Sequence, residues 1–115
     1  MKYMLLIASD PTTWTDDPAE NAKTHAEYGA FTQSIIESGE FLSGDALQGT
    51  DTATTVRVRN GKASTFDGPF AETKEHLGGY YLVDVKDLDR ALELAAQIPH
   101  ARIGGVEVRP VADMG

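Results

Sequence analysis

The chain contains no cysteine. That excludes disulfides, thiolate nucleophiles and every cysteine-based metal site, and it fits a reducing, cytoplasmic compartment. Basic residues are scarce as well: 10 Lys and Arg stand against 18 Asp and Glu, a formal net charge of −8. Nucleic acids and anionic membranes are recognised by basic clusters, so neither is an expected partner. No long apolar run exists either. Met1 to Ile7 is apolar, but Ser9, Asp10 and Pro11 interrupt it before it reaches the length of a signal-peptide core or a membrane span. No two histidines stand at metal-ligand spacing, and Gly78-Gly79 lacks the following Lys-Ser/Thr of a phosphate-binding loop, so neither metal nor cofactor is expected. There is no internal repeat, and 115 residues suffice for one domain that buries roughly two-thirds of its unfolded surface.

What is present centres on the stretch from Phe66 to Val85. Asp67-Gly68-Pro69 cannot continue a strand, because Gly68 favours unusual backbone angles and Pro69 has no N–H to donate. The chain must turn there. Gly78-Gly79 then leads into Tyr80 to Val85, whose aromatic and β-branched residues predict a central strand. An acid-bearing bend is thereby tethered to the core sheet.

Elsewhere the pattern alternates between strand and helix. Lys2 to Ile7 is apolar on both faces, with Tyr3, Leu5 and Ile7 on one and Met4 and Leu6 on the other, which predicts burial on both. After a loop carrying Trp14, Asp17 caps a helix with Pro18 in its first turn, and Gly39 ends it. His25, Tyr28, Phe31 and Ile35 share one stripe of that helix. Phe41 to Ser43 begins a second strand, and Gly44 to Ala53 reads as a mobile polar loop. Asn60-Gly61 predicts a hairpin between Thr54–Arg59 and Lys62–Phe66. Asp87 or Asp89 opens a second helix with Leu88, Ala91, Leu92 and Ala95 or Ala96 as its apolar stripe, and Val106 to Val111 is the last strand. The expected class is α+β, a ferredoxin-like antiparallel sheet of roughly four or five strands with two helices on one face. Two helices cannot cover the face bearing Met4 and Leu6, so a second copy is its simplest cover.

Asp67-Gly68-Pro69-Phe70, followed by Ala71-Glu72-Thr73-Lys74-Glu75 and Leu77-Gly78-Gly79-Tyr80, resembles the signature of the DGPF-type proteins within the larger YCII-related family. Met1 to Ile7, Ala53 to Arg57 and Val106 to Pro110 are similar to that family too, so the likeness covers almost the whole chain. The resemblance implies a single domain over residues 1–115 that pairs as a homodimer, a dimeric α+β barrel with two sheets packed face to face. The YCII branch is associated with a histidine in the first helix and an aspartate near the last strand. Spacing to Gly39 puts Tyr28 where the histidine is expected, and Ile98 stands before Pro99 where the aspartate is, so that pair is unmatched and its acid/base mechanism does not carry over. Association of relatives with extracytoplasmic-function sigma factors implies a part in transcription initiation.

Four residues are candidate proton-transfer groups: Asp67, which can equally cap its turn; Glu72, which belongs to the motif; and His25 with Tyr28, one helical turn apart. Glu75 and His76 read as a solvated loop and His100 as an exposed turn residue. Arg57 and Arg109 are candidates for binding an anionic substrate, with ion pairing as the competing reading, and Trp14 is a candidate pocket cover. Two functions follow: a small-molecule cleft with acid/base capability, or a non-catalytic regulator that contacts a sigma factor.

Overall fold

The computed structural model describes residues 1–70 and 73–113. Strand β1 (Lys2–Ser9) runs through the middle of a four-stranded antiparallel sheet ordered β2 (Phe41–Ala46), β5 (His76–Asp84), β1, β6 (Gly105–Pro110). Its pleat separates two faces. Tyr3, Leu5, Ile7 and Ser9 are buried, while Met4, Leu6 and Ala8 are half-buried. Leu5 pairs with Tyr81 on one side and Val108 on the other, so those residues share its face.

Both helices cover that face. Helix α1 (Pro18–Glu37) starts where the Asp17 carboxylate accepts the Ala19 N–H at 3.0 Å and Pro18 presets the first turn. It stops at Gly39, whose φ of 79° lets the Glu40 N–H reach back to the Ile35 carbonyl at 2.9 Å. Helix α2 (Leu88–Gln97) is capped by Asp87, which accepts the Arg90 N–H at 2.9 Å. Phe31 and Ile35 of α1 join Ala91, Leu94 and Ala95 of α2, with Ile98 after it, over Leu5, Tyr81 and Val83 in one core. Of the expected α2 stripe, Ala91 and Ala95 are buried as read, but Leu88 and Leu92 are exposed and Leu94 is fully buried instead, so the inward face is turned toward the Leu94 flank. Across the joint, the Arg90 guanidinium donates to both Glu40 oxygens at 2.9 Å, holding the Glu40 carboxyl below its usual range.

Strands β3 (Thr54–Arg59) and β4 (Lys62–Asp67) form the predicted hairpin, closed by Asn60 and Gly61 at φ 54° and 73°. The hairpin is a sheet of its own, apart from the four-stranded one, and every residue of β4 is exposed. Two boundaries also shift. β2 continues past Ser43 because Asp45 and Ala46 pair with Tyr80 and Gly79, and β5 begins at His76, so Gly78-Gly79 lies within the strand. No helix lies on the Met4 and Leu6 face among the described residues, and no described helix is long and apolar enough to cross a membrane.

Candidate functional site

A cavity of about 370 Å³ opens where α1, β2, β5 and the short 3-10 turn Pro99–Arg102 meet. Its shape follows from glycines. Gly44 lies against Tyr81, and a Cβ there would come within 2.7 Å of the phenol ring; at Gly79 a Cβ would come within 3.0 Å of the Asp45 carbonyl. Strands without side chains leave space, and α1 fills its rim with polar tips. His25, Tyr28 and Thr32 recur at intervals of three and four on the helix, so all three line the cavity.

The fourth contributor comes from the far end of the chain. Ile98 and Pro99 are buried and anchor the turn after α2, which swings His100 toward α1. Gly104 lets the chain continue into β6, since a Cβ there would lie 2.2 Å from the Ala8 carbonyl oxygen. The result is a contact of 2.5 Å between Tyr28 Oη and His100 Nδ1, with the rings tilted at 38°. Burial pushes the Tyr28 phenol up to about 12, against a smaller downward pull from the His100 backbone. Burial likewise lowers His100, and the Arg102 charge adds to that. Both groups are therefore uncharged near neutrality. A proton on the phenol points at an imidazole lone pair, or the imidazole N–H points at the phenol oxygen, according to tautomer. Either arrangement lets a proton pass between them without a buried charge at rest.

Other lining hydroxyls are engaged with each other. Thr32 Oγ1 and Tyr81 Oη are 2.6 Å apart. The Trp14 indole N–H donates to the buried Ser9 hydroxyl at 2.8 Å, which ties the ring to the cavity wall although the residue is 47% exposed. That loop is shaped upstream by Asp10, whose carboxylate accepts the Thr12 N–H and hydroxyl and is held below its usual range by them. Trp14, His25, Tyr28 and His100 also face an outer cleft that includes Lys23 and Arg102.

Of the residues singled out in the sequence, the cavity gathers Trp14, His25 and Tyr28. Asp67 lies elsewhere, exposed at the end of β4; its bend is held by the Gly68 N–H on the Ala53 carbonyl and the Thr55 hydroxyl on the Gly68 carbonyl, each at 2.8 Å, rather than by the carboxylate. Glu72 lies outside the described residues. The Arg57 guanidinium sits on the hairpin, 4.9 Å from the Phe70 ring centroid and 5.7 Å from that of Phe66. Arg109, on the open sheet face, pairs with Glu107. His76 belongs to β5 and contacts the Thr50 hydroxyl at 3.1 Å. His100, expected to be an exposed turn residue, is half-buried and is the site residue that sequence reasoning missed. The available signal was its position: it follows Ile98-Pro99, two residues beyond the place where an acidic partner for the first helix was sought. Among the described residues no three His, Asp or Glu side chains group as a metal ion would need.

Comparison with known proteins agrees with the YCII-related resemblance. Residues 1–115 match the YCII-related domain family. An uncharacterised protein of Rhizobium meliloti (strain 1021) is 35% identical over 117 residues, covering 97% of this chain and 93% of that protein.

Proposed function

The chain belongs to the YCII-related domain family, and we propose that within it this is a DGPF-type, single-domain protein whose cavity binds a small molecule and transfers a proton to or from it. The observation that carries this reading is the 2.5 Å contact between Tyr28 and His100 at the wall of an apolar cavity. Neutral His100 serves as the base, Tyr28 meets the bound molecule and relays the proton, and His25 one turn away supplies a second imidazole to orient it. Trp14 closes the mouth. Asp67, Glu72, Arg57 and Arg109 carry no step in this reading.

The same proposal includes the assembly. The strand order and the two helices on one face support a ferredoxin-like sheet with the hairpin as an insertion between β2 and β5. A homodimer through the Met4 and Leu6 face, giving a dimeric α+β barrel, is supported by the lack of a helix over that face among the described residues and by the open form of the chain as a whole. The chain exposes 7973 Å², whereas a compact monomer of its mass exposes about 6,100 Å². Its radius of gyration is 16.1 Å, against about 13 Å for a compact chain of this length.

A fragment screen followed by NMR tests the site. Shifts concentrated on the Trp14 indole N–H and the His25 and His100 rings are expected; shifts confined to the hairpin or to α2 would defeat the reading. The second reading, a regulator that contacts a sigma factor, is favoured by Leu88 and Leu92, two exposed leucines one turn apart on α2. A binding assay against a sigma factor in which Leu88→Glu changes nothing disposes of it.

A further inference from the structure

Resting on the cavity as the functional site, we infer that its ligand is uncharged: a small, mostly apolar molecule with one hydroxyl or carbonyl group, held at that group by Tyr28 Oη and enclosed by Trp14, Phe41 and Tyr81.

The argument starts from charge. No lysine or arginine lines the cavity among the described residues, and its one carboxylate is Asp45. An anion entering would leave water for an apolar enclosure with no lysine or arginine to meet it, inside a chain of net charge −8 that already repels it. The outer cleft holds Lys23 and Arg102, and Arg102 is paired with Glu27 at 2.7 Å.

A cation fares little better. Asp45 pairs in register with Tyr80, whose face of β5 is turned away from the helices, and its carboxylate accepts the Tyr80 hydroxyl at 3.0 Å. Phe41, Gly44 and Ala46, opposite Val83, Tyr81 and Gly79, are the β2 residues on the helix side of the sheet, and none of them carries a charge. The Tyr81 ring is also committed: it packs edge-on with Phe31 and with Phe41 and does not turn its face to the cavity as the wall of an aromatic box would.

What remains for a ligand is specific. The Ser9 hydroxyl accepts the Trp14 indole N–H, and the Thr32 and Tyr81 hydroxyls share one hydrogen bond. Tyr28 is paired instead with an imidazole, which can take the phenol proton or supply its own, and the phenol oxygen keeps a free site in either case. With the proton on the phenol directed at Nδ1, the oxygen accepts from a ligand hydroxyl; with the proton on Nδ1, the phenol donates to a ligand carbonyl. One pair of residues thus recognises both groups and rejects neither.

Three isosteric probes separate the possibilities: 3-phenylpropanol, 3-phenylpropanoate and 3-phenylpropylammonium, titrated at neutral pH into the full chain. Trp14, the single tryptophan, reports binding by its fluorescence, and calorimetry repeats each titration independently of Trp14. The alcohol is expected to bind at least about tenfold more tightly than either ion, because an ion loses its hydration without gaining a partner. Tyr28→Phe, which keeps the ring, should weaken the alcohol by about three- to tenfold, the loss of one hydrogen bond. Equal or tighter binding of either ion overturns the uncharged class while leaving the cavity as the site. Unchanged alcohol affinity in Tyr28→Phe overturns the phenol as the grip. No binding of any probe by either method overturns this inference together with the proposed site.

Discussion

The sheet body and the hairpin arm are made of the same kinds of residue, yet they hold them differently. In β5, Val83 has no exposed surface; in β3, Val56 and Val58 are 60% and 58% exposed. Both strands have the composition that favours extended backbone, and both make regular antiparallel ladders. What separates them is a layer. The body has α1 and α2 over one face, whereas a two-stranded ribbon without cover is marginal in water. Strand propensity decides local conformation; burial decides which strands carry the stability.

The sharpest way to probe that contrast is in the body core. Leu94→Ala should cost about 3 to 4 kcal/mol by chemical denaturation, since the side chain is fully buried and its removal leaves a cavity. A loss below about 1 kcal/mol would mean that the core collapses around the gap and that the contrast with the arm is false. Next in size is Leu6→Asp on the open sheet face. Sedimentation at low micromolar concentration should show the proposed dimer shifting to monomer, because a charge there cannot be desolvated against a second copy. An unchanged sedimentation coefficient would show that this face, like the arm, is uncovered.

A smaller effect is expected at the Arg90–Glu40 fork. Glu40→Gln should cost about 1 to 2 kcal/mol at neutral pH, because a partly buried, two-pronged pair outlasts solvent screening better than a surface one. The sign with pH follows from the lowered Glu40. Its contribution is present above the ordinary glutamate value near 4.5 and is lost as pH falls through the lower folded value, so wild type and variant should converge in acid. Parallel melting temperatures down to acid pH would refute the pairing. Val58→Thr in the arm comes last, within about 0.5 kcal/mol. A cost rivalling that of Leu94→Ala would reveal a partner seated on the hairpin, and the comparison would then be between two covered regions.

Local chemistry was legible in the sequence, and long-range juxtaposition was not. The Asp17-Pro18 start of α1 and the Asn60-Gly61 turn depend on a few adjacent residues, and each is found where it was read; of the two-sided β1 pattern, the Tyr3, Leu5 and Ile7 face is buried and the Met4 and Leu6 face half-buried. Leu94 was missed because Ala91 and Ala95 have an apolar flank on each side, Leu88 and Leu92 on one and Leu94 on the other, and only the sheet decides which flank faces inward. At the site, the α1 stripe gave His25 and Tyr28, but the partner of Tyr28 lies 72 residues away and no periodicity connects them. Asp67 attracted attention for the opposite reason: turn residues and acids cluster around it locally, and a local cluster is what a sequence displays best.

The glycine floor of the cavity makes its width a fixed quantity. A methyl group added at Gly44 collides with the Tyr81 ring, and one added at Gly79 presses on the Asp45 carbonyl. A larger residue at either position must spread β2 from β5 or displace Tyr81, whose ring is braced edge-on by Phe31 and Phe41. The floor is thus the part of the cavity least open to evolutionary drift, and change in ligand size is left to the side chains of the rim.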